Sequence, residues 1–137
     1  MDSNVKKIAC VTGASSGIGY ATAKELATLG YDIIAVARRM DRLKELEEDL
    51  NQNPETSDCR VFLAELDVRN KMDVQSFYDA LPEDWKSIDV LVNNAGLAKG
   101  LSKFYDGDTD HWDQMIDTNI KGLLYMTRSI APLMIAR

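Results

Sequence analysis

The feature that most constrains this chain is a glycine-rich turn, Thr12-Gly13-Ala14-Ser15-Ser16-Gly17-Ile18-Gly19, set between a short apolar run and an amphipathic one. Upstream, Ile8-Ala9-Cys10-Val11 reads as a buried strand. Downstream, Gly17 to Leu29 reads as a helix, ended by Gly30 in the positive-φ conformation that a glycine tolerates past a helix terminus. A strand that turns this tightly into a helix needs residues without side chains at particular points. Gly13 permits the sharp exit from the strand, Gly17 leaves room for a pyrophosphate to approach the backbone, and Gly19 lets the helix lie close to the sheet. The helix N-terminus then presents free N–H groups to an anion. A glycine trio also fits a plain flexible turn; the strand-to-helix setting is what favours the phosphate reading.

The alternation continues along the chain. Ile33 to Ala37 reads as a second strand. From about Asp41 to Leu50 a solvent-facing helix follows, its charges at helical spacing, with Lys44 and Glu48 four apart around Leu43, Leu46 and Leu50. Arg60 to Leu66 makes a third strand, Lys71 to Leu81 a third helix closed by Pro82, Ile88 to Val92 a fourth strand, and a long helix runs from about Asp110. Apolar strands separated by helices predict a parallel sheet covered on both faces through right-handed crossovers. This is the α/β, doubly wound Rossmann-type class, or its first half.

Length and composition narrow the function classes. A chain of 137 residues suits one domain spanning 1–137, large enough to bury its own core. With 45% apolar and 28% charged residues it reads as soluble, and it has no apolar run of about 18 residues to cross a membrane. The start, Met1 to Lys7, lacks the apolar segment of a signal peptide, which predicts a cytoplasmic protein. Cys10, Cys59 and a single histidine offer no metal-ligand spacing, and Cys10 is expected to pack as a small hydrophobe. A net charge of −6 argues against a nucleic-acid partner, so any bound phosphate must be held by local donors.

The glycine turn matches the Thr-Gly-x-x-x-Gly-x-Gly signature of the short-chain dehydrogenase/reductase family. Asn93-Asn94-Ala95-Gly96, directly after the fourth strand, matches that family's Asn-Asn-Ala-Gly segment. With both motifs in this order, the chain resembles the N-terminal, dinucleotide-binding half of such an enzyme, from about Lys7 to Arg137. The resemblance implies that Ser15, Ser16, Gly17 and Ile18 surround the cofactor's phosphates, and that Asn93, Ala95 and Gly96 border the cofactor. It implies too that Asp67 and Val68 meet the adenine, with Asp67 accepting from the amino group. For Asp67 a helix-capping role before Asn70 is the alternative.

The cofactor is read from the end of the second strand, about 20 residues past the glycine turn, where an acid favours NAD and an arginine NADP. Ala37 stands where NAD-preferring members of the family carry an acid, and Arg38 and Arg39 follow. An arginine fork holds a 2′-phosphate through charge-assisted bonds, with Ser15 as a further hydroxyl donor, so NADP is expected. The alternative, two arginines solvating a helix start, is opposed by the unfavourable field for cations at a helix N-terminus. Asp41 is read as the N-cap of the second helix.

In the last helix Trp112, Ile116, Asn119 and Leu123 recur at helical spacing, placing an asparagine on an apolar stripe. The plain reading is a satisfied buried amide. The family has an asparagine in this Asn-x-x-Gly context, matched by Asn119 to Gly122, that distorts the helix and holds a water in the proton relay to a catalytic lysine; Asn119 is the candidate for that role. The family's catalytic tyrosine, lysine and serine belong beyond a fifth strand, past Arg137. Tyr20 and Lys24 do match Tyr-x-x-x-Lys literally. However, Ile18, Thr22, Leu26 and Leu29 are expected to form the packing stripe of the first helix, with Tyr20 about 200° around from Ile18 and facing away from the sheet.

The sequence thus predicts the cofactor-binding half of an NADP-dependent oxidoreductase acting on an alcohol or carbonyl, inactive by itself. Asn93 to Gly100 and Trp112 to Asn119 most resemble the 3-hydroxy acid (serine-type) members. A homo-oligomer, dimer or tetramer, is implied, with the last helix at the interface. The competing reading is a non-catalytic NADP-binding or interaction module.

Overall fold

All four apolar runs pair side by side in parallel. In the computed structural model, which describes residues 5–137, β1 (Ile8–Thr12), β2 (Asp32–Ala37), β3 (Val61–Glu65) and β4 (Val90–Val92) form one sheet in the order β3-β2-β1-β4. Met1 to Asn4, part of the segment read for a signal peptide, lie outside the described residues. Helices α1 (Gly17–Thr28), α2 (Met40–Gln52) and α3 (Lys71–Ala80) connect successive strands. After β4 a loop leads into α4 (Thr109–Ile116), a π turn (Asp117–Gly122) and α5 (Leu123–Ala136), one continuous helical run. Strand order reverses at β1, so the C-terminal ends of β1 and β4 open a crevice, the place where open α/β sheets hold ligands.

Side chains alternate across the sheet and build a core on each face. Ile8 and Cys10 of β1 join Ile34, Val36, Val74, Met126 and Ile130 under α3 and α5. Ala9 and Val11 join Ile33, Ala35, Ala23, Ala27 and the three leucines of α2. Cys10 is fully buried and packs as a small hydrophobe, its thiol pushed up to about 12 by desolvation. β1 and β2 are buried on both faces, whereas β3 and β4, with one neighbour each among the described residues, are only partly covered. No helix among those residues is long and apolar enough to cross a membrane.

Three sequence expectations are corrected here. The buried face of α1 is Gly19, Ala23 and Ala27, while Ile18 is 78% exposed. A helix this close to a sheet admits only small side chains beneath it, so the larger apolar ones are displaced to its flanks. Tyr20 is accordingly not turned outward. It packs half-buried against α2, donates its hydroxyl to Asp49, and carries Lys24 5.7 Å above its ring centroid. Second, α2 begins at Met40 with Arg39 at the N-cap, which puts Asp41 inside the first turn rather than at the cap. Third, Trp112, Ile116, Asn119 and Leu123 do not form a buried stripe, Ile116 being 47% and Leu123 42% exposed. The π turn adds a residue to one turn of helix and shifts the phase, so the buried face beyond it runs Gly122, Met126, Ile130.

Candidate nucleotide-binding site

The glycine turn forms the first wall of the crevice. Gly13 and Gly17 both adopt positive φ, +66° and +57°, which side-chain-bearing residues adopt only with strain. Ala14 N–H donates to the Val36 carbonyl at 3.2 Å, strapping the turn to the end of β2. Gly17 faces open space, with no atom within 4 Å of where a Cβ would stand. At Gly19 a Cβ would collide with the Gly13 carbonyl and the Asn94 side chain. Ser16 is the N-cap of α1 in extended conformation, yet its side chain makes no capping bond. Its hydroxyl and the first-turn N–H groups are therefore available to a ligand.

The second wall follows β4 and is fastened to the first by one hydroxyl. Thr12 Oγ1 donates to the Val92 carbonyl (3.3 Å) and accepts from the N–H groups of Asn94 (3.0 Å) and Ala95 (2.9 Å). The Asn94 amide donates to the Gly13 carbonyl at 3.2 Å. Asn94, Ala95 and Gly96 thus line the cleft. Asn93 does not: its amide points to the other side of the extended segment and donates to Thr127 Oγ1 on α5 at 3.0 Å. Asn119 sits in the π turn with both ends of its amide engaged by one residue, Oδ1 accepting from Leu97 N–H (2.7 Å) and Nδ2 donating to the Leu97 carbonyl (2.9 Å). Its polar groups are satisfied as the plain reading required, but the residue is exposed, and it holds the segment that follows the second wall.

The ends of β2 and β3 supply the third wall. Ala37, Arg38, Arg39, Leu66, Asp67 and Val68 face Ser15, Ser16 and Ile18 across a cleft of about 470 Å³. Asp67 is clasped by Arg69, with Nη2 to Oδ2 at 2.6 Å and Nε at 3.0 Å from both oxygens. The guanidinium of Arg69 holds the Asp67 carboxyl below its ordinary range, against the opposing pull of burial. Asp67 does not cap α3; Asn70 does, accepting from Asp73 N–H at 3.1 Å. A second hollow, of about 610 Å³, lies along β3 and shares Arg38 and Asp67, but no glycine-turn residue lines it. Convergent donors, not size, single out the first cleft.

Besides Asn94 and the apolar Val36 and Leu66, the polar lining residues Arg42 and Thr118 escaped the sequence reading. Arg42 was legible in principle, one helical turn beyond Arg39 and so on the same side of α2. Thr118 carried no signal. Its Oγ1 is buried without a hydrogen-bond partner among the described residues, an unmet polar group at the cleft wall of the kind a ligand or water satisfies.

A parallel sheet reversing at β1, with a glycine turn opening a helix at that point, defines a Rossmann-type nucleotide-binding domain. The sequence pattern of the short chain dehydrogenases matches residues 7–137, and the chain belongs to that family. It is 42% identical over 130 residues to the NADP-dependent 3-hydroxy acid dehydrogenase YdfG of Escherichia coli K12, a match covering 95% of this chain and 50% of that protein. It is 45% identical over 128 residues to sulfoacetaldehyde reductase 2 of Chromohalobacter salexigens, covering 93% of this chain and 49% of that protein. Among solved structures, serine dehydrogenase from Escherichia coli superimposes with a TM-score of 0.84 at 41% identity, over 95% of this chain and 57% of that one. A closed form of serine dehydrogenase complexed with NADP+ gives 0.85 at 41% identity, over 95% and 50%. The chain spans about half the length of the curated relatives it matches.

Proposed function

We propose that the cleft binds NADP(H), and that the chain is the cofactor-holding part of a cytoplasmic NADP-dependent oxidoreductase acting on an alcohol or carbonyl, with 3-hydroxy acids as the favoured substrate class. The observation that carries the reading is the pairing of an open glycine turn with arginines: Ser15 and Ser16 on one side, Arg38, Arg39 and Arg42 on the other, and Ala37 where an acid would repel a phosphate. This donor set fits a dinucleotide bearing a 2′-phosphate. In it Gly13, Ser15, Ser16, Gly17 and Ile18 hold the pyrophosphate, Asp67 and Val68 meet the adenine, and Ala95 and Gly96 border the path toward the nicotinamide. The group bound there supplies or accepts a hydride. Thr118 Oγ1 gains a partner when the cleft is filled. Relatives named for NADP support the same choice.

These 137 residues by themselves are proposed not to turn substrate over. Hydride transfer needs a proton donor beside the reacting oxygen. In the literal Tyr-x-x-x-Lys, Tyr20 is committed to α2 through Asp49, Lys24 lies over the Tyr20 ring, and neither lines the cleft. Asn119 is proposed to serve a proton relay completed outside these residues, and its grip on Leu97 fixes the wall on which that relay rests. The same reading makes the protein a homo-oligomer associating through the last helix, where Ile120, Leu124 and Leu133 are exposed. Titration with NADPH and NADH tests the cofactor: NADPH should bind more tightly, and an Arg38→Ala/Arg39→Ala double variant should narrow that preference, a lost charge-assisted bond to the phosphate costing roughly 1.5–3 kcal/mol. Equal affinities, or a preference that the double variant leaves undiminished, overturn the assignment. NADPH oxidation by the 137-residue chain against small carbonyl compounds should stay at the rate without protein, and turnover abolished by Tyr20→Phe would restore that tyrosine to the chemistry.

A further inference from the structure

The three arginines of the cleft differ in what already holds them. Arg39, at the N-cap of α2, has its Nη2 3.1 Å from Asp41 Oδ2, two residues along. That pair is close to neutral as a unit and presents a carboxylate beside any incoming anion. Arg38 and Arg42 have no carboxylate within ion-pair distance among the described residues, and both line the cleft with Ser15, Ser16 and Ala37. Arg42 lies in the first turn of α2, where the helix field disfavours a cation, so its position is not explained by helix stability. Asp41, in the same turn, is favoured there by that field. A phosphate carrying close to two charges is best met by two unengaged guanidinium forks.

We propose that Arg38 and Arg42 are the pair that receives the 2′-phosphate, and that Asp41, by holding Arg39 back, sets how strongly the cleft prefers the phosphorylated cofactor over the unphosphorylated one. This rests on the reading that the cleft takes NADP(H), and it reassigns the arginine that the sequence placed beside Arg38. The discrimination then lies on two elements, the end of β2 and the first turn of α2, instead of on one dipeptide.

Equilibrium titration of the full chain with NADPH, NADH, adenosine 2′,5′-bisphosphate and adenosine 5′-monophosphate tests it without any turnover. Arg42→Ala should weaken NADPH and the bisphosphate about tenfold or more while leaving NADH and the monophosphate within about twofold. Arg42→Lys, which keeps the charge but not the fork, should recover part of the loss. Arg39→Ala should cost NADPH less than about threefold, and Asp41→Asn should tighten NADPH several-fold with NADH unchanged, since it releases Arg39 and removes a negative charge. Circular dichroism on each variant separates a binding loss from unfolding; should Arg42→Ala not fold, the Asp41→Asn and Arg39→Ala arms decide the matter alone. The proposal is overturned if Arg39→Ala costs more than Arg42→Ala, if Arg42→Ala weakens all four ligands equally, or if Asp41→Asn weakens NADPH. A wild-type chain that prefers NADH, or binds neither nucleotide, removes the cofactor reading as well; a wild-type preference for NADPH that no Arg42 variant changes removes this inference alone.

Discussion

The carboxylate of Asp67 serves both stability and the cleft wall. Because Arg69 holds its folded-state pKa below the ordinary value, the stabilisation is complete above about pH 4 and is lost as pH falls through the lowered folded value. Thermal melts between about pH 2 and 6 should therefore show stability falling on acidification, with a shallower slope in Asp67→Asn; identical slopes would mean that the Arg69 clasp contributes nothing. The neighbouring asparagines show what a sequence motif leaves open at this scale. The Asn-Asn-Ala-Gly segment was recognisable, but the side on which each asparagine points depends on how β4 registers against β1, through Ala9 opposite Val90 and Val11 opposite Val92. That register is a long-range fact, so Asn94 rather than Asn93 reaching the cleft could not be read from adjacent residues. The start of α2 lies two positions before the expected cap at Asp41 for a related reason: helix starts are fixed by backbone geometry that neighbouring positions from Arg38 to Arg42 satisfy nearly equally well.

Among the elements, α1 depends most on a single position. Gly19 brings the helix down onto β1, and an added methyl would meet the Gly13 carbonyl, which is backbone and cannot swing aside, and the tip of Asn94, which is itself bonded to that carbonyl. Gly19→Ala should cost roughly 1–3 kcal/mol in urea unfolding and should weaken both nucleotides together, because the turn and the second wall are displaced as one. If binding is unchanged, the close contact of turn and wall is not what shapes the cleft. The strands and helices themselves were legible to within a residue or two, since apolar runs and 3.6-residue periodicity report directly on burial. Two things were hidden. The inner face of α1 is made of residues too small to register as hydrophobic, and the π turn breaks the periodicity on which any stripe in the last helix is read. Gly122 was a mark of the second feature: a Cβ there would stand 2.5 Å from Val68 Cγ2, so the helix and the wall of the cleft meet where only a glycine fits.

At the scale of the molecule β4 is an edge of the sheet among the described residues. Within these residues β4 pairs with β1 alone, and Val90 to Val92 carry no charge on their free edge. Asp89 is drawn inward, accepting from Ile8 N–H at 2.8 Å and pairing with Arg137 at 2.6 Å, and so does little to discourage edge-to-edge pairing. The 137-residue chain is expected to self-associate as its concentration rises, visible in light scattering; a monodisperse monomer throughout would show that the edge is adequately blunted. The doubly wound topology followed from the alternation of elements, whereas the joining of the two cleft walls through Thr12 did not, because nothing local marks a hydroxyl that serves residues 80, 82 and 83 positions away. That single oxygen also imposes an order of events. On a ribosome the glycine turn emerges long before the wall that faces it, and β1, β2 and β3 can pair while β4 is still unmade. The cleft is therefore complete only with the longest-range closure in the sheet, and a nucleotide that needs both walls acts as a late latch, drawing over by mass action the molecules whose last strand has already come home.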